Sequence, residues 1–177
     1  MLTKEMVLER FEYIDGAIYW KTKTKTATRV TIGKRAGGDH GDGYRCVSIN
    51  NKRYLEHRVI FLMHHGYLPR FIDHIDCNKS NNKIENLREA SIFQNNQNNP
   101  NIRSASGVKG VYFNKQRNKY HCQLWANGKS ECVGYFENLD EAKSAMLKAR
   151  AQFHKNFANL GNTTRAIEAK LREKNHG

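Results

Sequence analysis

The stretch FIDHIDCNKSNNKIENLREASIFQNNQNN, Phe71 to Asn99, sets an acid beside a histidine, continues through a polar loop and ends on an asparagine-rich helix start. Asp73 is a hard oxygen ligand and His74 a nitrogen base. Neighbouring side chains at a strand end point to different sides. One can then reach a cation while the other reaches a water, the pairing that metal-assisted phosphodiester hydrolysis needs. Asn86 follows His74 by twelve residues and Asn95 follows Asn86 by nine. Taken singly these residues are ordinary: an Asp-His pair is a common surface turn, and asparagines such as Asn81 and Asn82 serve as turn residues or helix caps. The set is more specific: Asp73-His74, Glu85-Asn86-Leu87, Ser91 at a helix N-cap position and Asn95 one turn inside that helix. Asn98 and Asn99 lie three and four residues past Asn95 on the same helical face, so either is also placed for its role.

Over roughly thirty residues the segment resembles the HNH nuclease motif, in the ββα-metal variant of phage and intron homing endonucleases whose final histidine is asparagine. The resemblance implies two short antiparallel strands and a helix around one divalent metal, Mg²⁺ or Mn²⁺. It implies Asp73 and Asn95 as metal ligands, His74 as general base and Asn86 as the side chain that orients the His74 ring. This reading requires a His74 ring open to solvent and an Asn95 close to Asp73. His57 and Arg58 resemble the His-Arg pair that precedes the Asp-His element in the family. They, His64 and His65 receive no catalytic role.

Charge points the same way. Lys and Arg number 30 against 17 Asp and Glu, a net of +13, which favours polyanions such as double-stranded DNA. There are 16 basic and 11 acidic residues through Pro100, then 14 and 6 beyond it, so the shorter C-terminal part is the more basic. No apolar run approaches the eighteen or so residues of a membrane span, and Met1 to Phe11 is charged and amphipathic, unlike a signal peptide. The expectation is a soluble, cytoplasmic protein, monomer or homodimer, with no small-molecule cofactor. Cys46, Cys77, Cys122 and Cys132 are scattered without a Cys-x-x-Cys, which argues for free thiols and against structural zinc.

Patterning predicts an α+β chain. A short helix over Met6 to Phe11 precedes strands at Tyr13-Ile14 and Ile18 to Trp20, and a Thr- and Lys-rich loop spans Lys21 to Arg35. Gly37 to Gly43 reads as a turn region, and Tyr44 to Ile49 and Lys52 to Leu55 as a hairpin about Asn50-Asn51. Glu56 to His65 has helical apolar spacing and stops at Gly66. Domain limits follow: a nuclease domain over 1–99, a linker over 100–107 broken by Pro100, a second domain over 108–160 and a basic tail over 161–177.

In the second domain, Val108 to Phe113, Lys119 to Ala126 and Lys129 to Phe136 alternate as strands, with Asn127-Gly128 as a tight turn, and a helix runs from Leu139 to about Phe153. The Lys-Gly-Val, Val-Gly-Tyr-Phe and Asp-Glu-Ala elements resemble the Apetala/ethylene-response-factor DNA-binding domain over about fifty residues. That resemblance implies a three-stranded antiparallel sheet on one helix, with the open sheet face in the DNA major groove. Alternation turns Val111, Cys122, Leu124 and Val133 to the helix and leaves Tyr112, Asn114, His121, Gln123, Trp125, Ser130 and Cys132 facing out. Lys109, Lys119 and Lys129 at strand ends join Tyr112, Asn114, His121, Gln123, Trp125 and Ser130 as candidate DNA contacts. The Arg- and Trp-rich face of the plant members is absent, so the target sequence is not readable.

The function implied is a divalent-metal-dependent DNA endonuclease of the homing type, an N-terminal cutter with a C-terminal reader. The alternative is a catalytically inactive DNA-binding regulator. An RNA-binding protein is a third reading.

Overall fold

A computed structural model describes residues 2–23, 30–98, 104–126, 128–154 and 157–158. Pro100, Asn127 and the tail over 161–177 lie outside the described residues, so the turn and tail expectations there are not addressed. The chain is mixed α and β, with four helices and several small antiparallel sheets among the described residues. It divides into two compact units, Met1–Ile92 and Phe93–Gly177.

The first unit opens with α1 (Lys4–Arg10), whose first turn is capped by the Thr3 hydroxyl accepting from the Met6 N–H at 3.3 Å. β1 (Phe11–Ile14) and β2 (Ala17–Trp20) form a hairpin closed by Asp15 and Gly16, both at positive φ. Residues 33–36 do not belong to a free loop, because Ala36 N–H bonds Ile18 O at 2.8 Å and Trp20 N–H bonds Lys34 O at 3.0 Å. β3 (Gly38–Gly41), β4 (Tyr44–Ile49) and β5 (Lys52–Leu55) form a second sheet in the order β3-β4-β5. The expected turn at Gly37 to Gly43 is therefore a bulged edge strand plus its turn, which a glycine-rich sequence conceals. Asn50 and Asn51 both take φ near +50 to +61, the mirror-image turn that matches strand twist.

α2 (Glu56–His65) ends on left-handed Gly66 and is buried nearly all round. Val59, Ile60 and Leu62 meet Val7, Phe11, Ile18, Val47 and Ile49 in one core. β6 (Phe71–His74) and β7 (Leu87–Ala90) pair antiparallel, with a loop and a 3-10 turn at Ile84–Asn86 between them. α3 (Ile92–Asn98) begins directly after Ser91.

In the second unit β8 (Val111–Asn114), β9 (Lys119–Ala126) and β10 (Lys129–Phe136) form an antiparallel sheet, and α4 (Leu139–His154) packs on one face of it. Val111, Cys122, Leu124 and Ala126 meet Ala142, Met146 and Ala149 in its core. A bulge at Val133 shifts the register, so that Cys132 faces Gln123 while Gly134 faces Cys122.

Candidate functional site

In the first unit the site grows from the β6-β7 ladder. Asp73 stands directly across from Arg88 and His74 across from Leu87. Two guanidinium nitrogens of Arg88 converge on one carboxylate oxygen, Nε at 2.8 Å and Nη2 at 2.7 Å from Asp73 Oδ2. Asp73 and His74 are each only 5% exposed, so the acid-histidine pair is not the open strand end that the sequence reading requires. Tyr44 and His57 pack over it: the His57 ring meets the His74 ring edge-on at 5.0 Å, and Tyr44 lies 6.2 Å from the His74 ring. Burial, followed by Asp73 and Asp42, raises the Tyr44 hydroxyl above its usual pKa. Burial, then His74 and Arg58, pushes His57 down to about 3, so His57 is a neutral packing ring.

A buried polar chain fixes the His74 ring. His74 Nε2 lies 2.9 Å from Asn82 Oδ1, and the Asn82 amide donates to Glu56 Oε2 at 3.2 Å. Glu56, 1% exposed, also accepts from the Ile18 N–H at 3.3 Å and is ion-paired with Arg45 at 3.2 Å and Arg35 at 3.4 Å. The Asn82 NH₂ group must point at the carboxylate, which can only accept, so the Asn82 oxygen faces the ring. An amide oxygen only accepts as well. His74 Nε2 therefore donates to the Asn82 oxygen.

Asn86, expected to orient that ring, does something else. Its amide donates to Asp76 Oδ1 at 2.9 Å and to Asn81 O at 2.7 Å, and its oxygen accepts from the Asp76 N–H at 3.0 Å. Both donors being committed, Asn86 braces the loop after His74, while Asn82 holds the ring. Burial works against the Asp76 carboxylate, but hydrogen bonds from Asn81, the Asn78 N–H and Asn86, with His74 nearby, lower its pKa overall. Asn82, Glu56 and Arg45 were not singled out as functional in the sequence. The only signal was Glu56 at the first position of a helix with a strong apolar stretch from Val59 to Met63, where a buried acid calls for partners.

Asn95 is exposed on α3 in the second unit. Asn98 is 4% exposed and Asn99 lies outside the described residues. Among the described residues no cluster of three or more His, Cys, Asp or Glu forms a metal cage. The donor chemistry of Asp73 and Asn95, one carboxylate and one amide oxygen, fits a hard divalent cation that keeps most of its shell for water and phosphate.

In the second unit the outward sheet face carries the expected side chains. Trp125 and Tyr112 are 53% and 43% exposed, Ser130 and Cys132 are exposed, and Asn114, His121 and Gln123 are half-buried. Tyr112, His121 and Tyr135 align across the three strands, with His121 and Tyr135 stacked at 4.7 Å and Arg117 4.6 Å above Tyr135. Tyr135 was missed as a face residue because the bulge at Val133 reverses the alternation after it. Several expected contacts have structural partners. Asn114 accepts from the Arg117 N–H at 3.1 Å, Lys109 caps the Asn96 and Gln97 carbonyls at 3.0 and 3.3 Å, Lys119 meets Glu137 at 3.3 Å, and Lys129 meets Glu131 at 3.2 Å.

The family profile described as HNH endonuclease matches residues 54–97, the span from β5 to α3 that holds Glu56, Asp73, His74, Asn82 and Asn86. Protein 3.8 of Escherichia phage T7 is 33% identical over 98 residues, 52% of this chain and 78% of that protein. No solved structure matches. With the motif on its expected ladder and a relative matched over most of its length, the chain belongs to the HNH endonuclease family.

Proposed function

We propose that the protein is a divalent-metal-dependent DNA endonuclease of the homing type, in which the first unit cuts and the sheet of the second unit binds DNA. The observation that carries this reading is the Glu56–Asn82–His74 chain, which holds the His74 ring next to Asp73 on the β6-β7 ladder. His74 takes a proton from the attacking water, and Asn82 and Glu56 are positioning residues that hold the ring. Asp73 and Asn95 would hold Mg²⁺ or Mn²⁺, which when bound supplies charge neutralisation at the leaving oxygen of the scissile phosphate. Arg88 shares Asp73 and is itself suited to a phosphate. Net charge +13 and the aromatic sheet face support DNA as the partner.

A specific observation favours the second reading. Asp73 and His74 are buried, and Asp73 is already neutralised by Arg88, as in a nuclease centre retired to a DNA-binding regulator. Incubation of supercoiled plasmid with Mg²⁺ or Mn²⁺ separates the two. Nicking that disappears in Asp73→Ala and His74→Ala while DNA binding persists supports the endonuclease; binding without nicking in the unmodified protein supports the regulator. Titration of Mn²⁺ followed by its electron-spin signal gives a second readout, and Asp73→Ala is expected to weaken that uptake.

A further inference from the structure

The second unit contains a groove of about 500 Å³ lined by residues of all three strands, α3 and α4, a size suited to a nucleoside or small organic ligand. Phe93, Tyr112 and Trp125 are its aromatic walls, all substantially exposed. Its polar lining includes Lys109, Gln123, Arg150 and His154, and Arg150 and His154 are only 4% and 6% exposed. His154 Nε2 lies 3.0 Å from the Trp125 carbonyl oxygen, which can only accept, so Nε2 carries the proton. The lone pair is then on Nδ1, a buried atom with no hydrogen-bond partner among the described residues. Burial lowers the His154 pKa, the Trp125 carbonyl opposes this, and Arg150 and Lys109 lower it further, so the ring is a neutral acceptor at neutral pH. A buried acceptor without a partner is uncommon in native proteins and calls for a donor.

Aromatic walls, a hydrogen-bond acceptor awaiting an N–H, a guanidinium and an amide together match a planar heterocycle bearing an exocyclic amine. Among the described residues no carboxylate lines the groove to repel an attached phosphate. The groove opens beside Tyr112, Gln123, Trp125 and Ser130, the same side chains assigned to DNA. We propose, building on the reading of this sheet as the DNA-binding surface, that the groove receives one unstacked, amine-bearing base of the bound DNA. The base lies against Trp125 and Tyr112, and its amine donates to His154 Nδ1. Arg150 and Gln123 supply donors for ring acceptors.

The test measures binding of the full chain to three fluorescent duplexes under metal-free conditions: fully paired, carrying a single bulged adenine, and carrying an abasic bulge at the same place. The adenine bulge is expected to bind on the order of tenfold tighter than the other two, the weight of one base stacked on an aromatic ring. A bulged thymine, which lacks the amine, is expected to fall between. Trp125→Ala, on an exposed side chain, is expected to remove most of the adenine preference. His154→Phe, checked by thermal unfolding, is expected to level adenine with thymine. Duplex binding with no preference among the three probes overturns the base pocket and leaves the DNA surface standing. Failure of every duplex to bind removes the DNA surface and the base pocket with it. Free dAMP binding with no bulge preference overturns the proposal in favour of a small-molecule site.

Discussion

Asn82 accepts from His74 Nε2 at 2.9 Å and donates to Glu56 at 3.2 Å, so one side chain ties the ring to the buried acid behind it. Asn82→Leu fills similar volume without either bond. It is expected to lower kcat by about 10–100-fold with a smaller change in KM, as measured in a steady-state nicking assay. Asn86→Ala instead releases the loop at Asp76, and its expected first effect is on the unfolding temperature. Glu56→Ala strands Arg45, Arg35, the Ile18 N–H and Asn82 together. The expected loss is about 3 kcal/mol in denaturant unfolding, the lower end for a buried pair because Arg35 and Arg45 reach solvent. The sequence reading gives the ring to Asn86 and leaves Asn81 and Asn82 as turn residues, whereas the structure turns Asn82 to the ring. Which of them turns inward depends on a loop path braced by bonds spanning five to ten residues.

At the scale of elements, α2 and the β6-β7 ladder were legible. The helix limits at Glu56 and Gly66 follow from apolar spacing and a glycine stop, and the strand holding Asp73-His74 from the motif. Less legible was what lines the helix: His57 on α2 is buried against His74, and its neutral form is the one the fold accommodates. Its pKa falls from 6.5 to about 3, so the unfolded chain binds more protons between those values. The stability that His57 contributes is therefore complete above about pH 6.5 and is lost as pH falls through that range toward 3. Urea midpoints measured at pH 7.5 and pH 5 are expected to drop on acidification, and by less in His57→Gln. Gly110, at φ +80 just before β8, is a second element-scale constraint: an added Cβ would run into the Gln123 carbonyl oxygen. Gly110→Ala is expected to destabilise the second unit by about 1–3 kcal/mol, seen in its thermal unfolding.

For the whole molecule, a net charge of +13 on 177 residues makes DNA affinity an electrostatic quantity first. Apparent affinity for a fixed duplex is expected to fall by roughly three to five powers of ten between 50 and 200 mM salt if six to ten phosphates are held. A shallow dependence would mean that few lysines and arginines touch the backbone. Lys109, Lys119 and Lys129 each have a partner within the chain, so single Lys→Ala changes among them are expected to move the salt slope by less than one contact each.

Sequence alone determined the types of residue and their order: the Asp-His pair, the asparagines behind it, the excess of positive charge, and the hydrophobic periods of α2, α4 and the strands. Those are local properties, written in spacing and side-chain chemistry. Tertiary structure decided which asparagine reaches His74, that Arg88 closes on Asp73, that Glu56 anchors the chain behind the ring, and where β10 changes face. Each of these depends on groups far apart in the chain meeting in a buried, low-dielectric setting, where an unsatisfied polar atom is expensive and only one arrangement satisfies all of them.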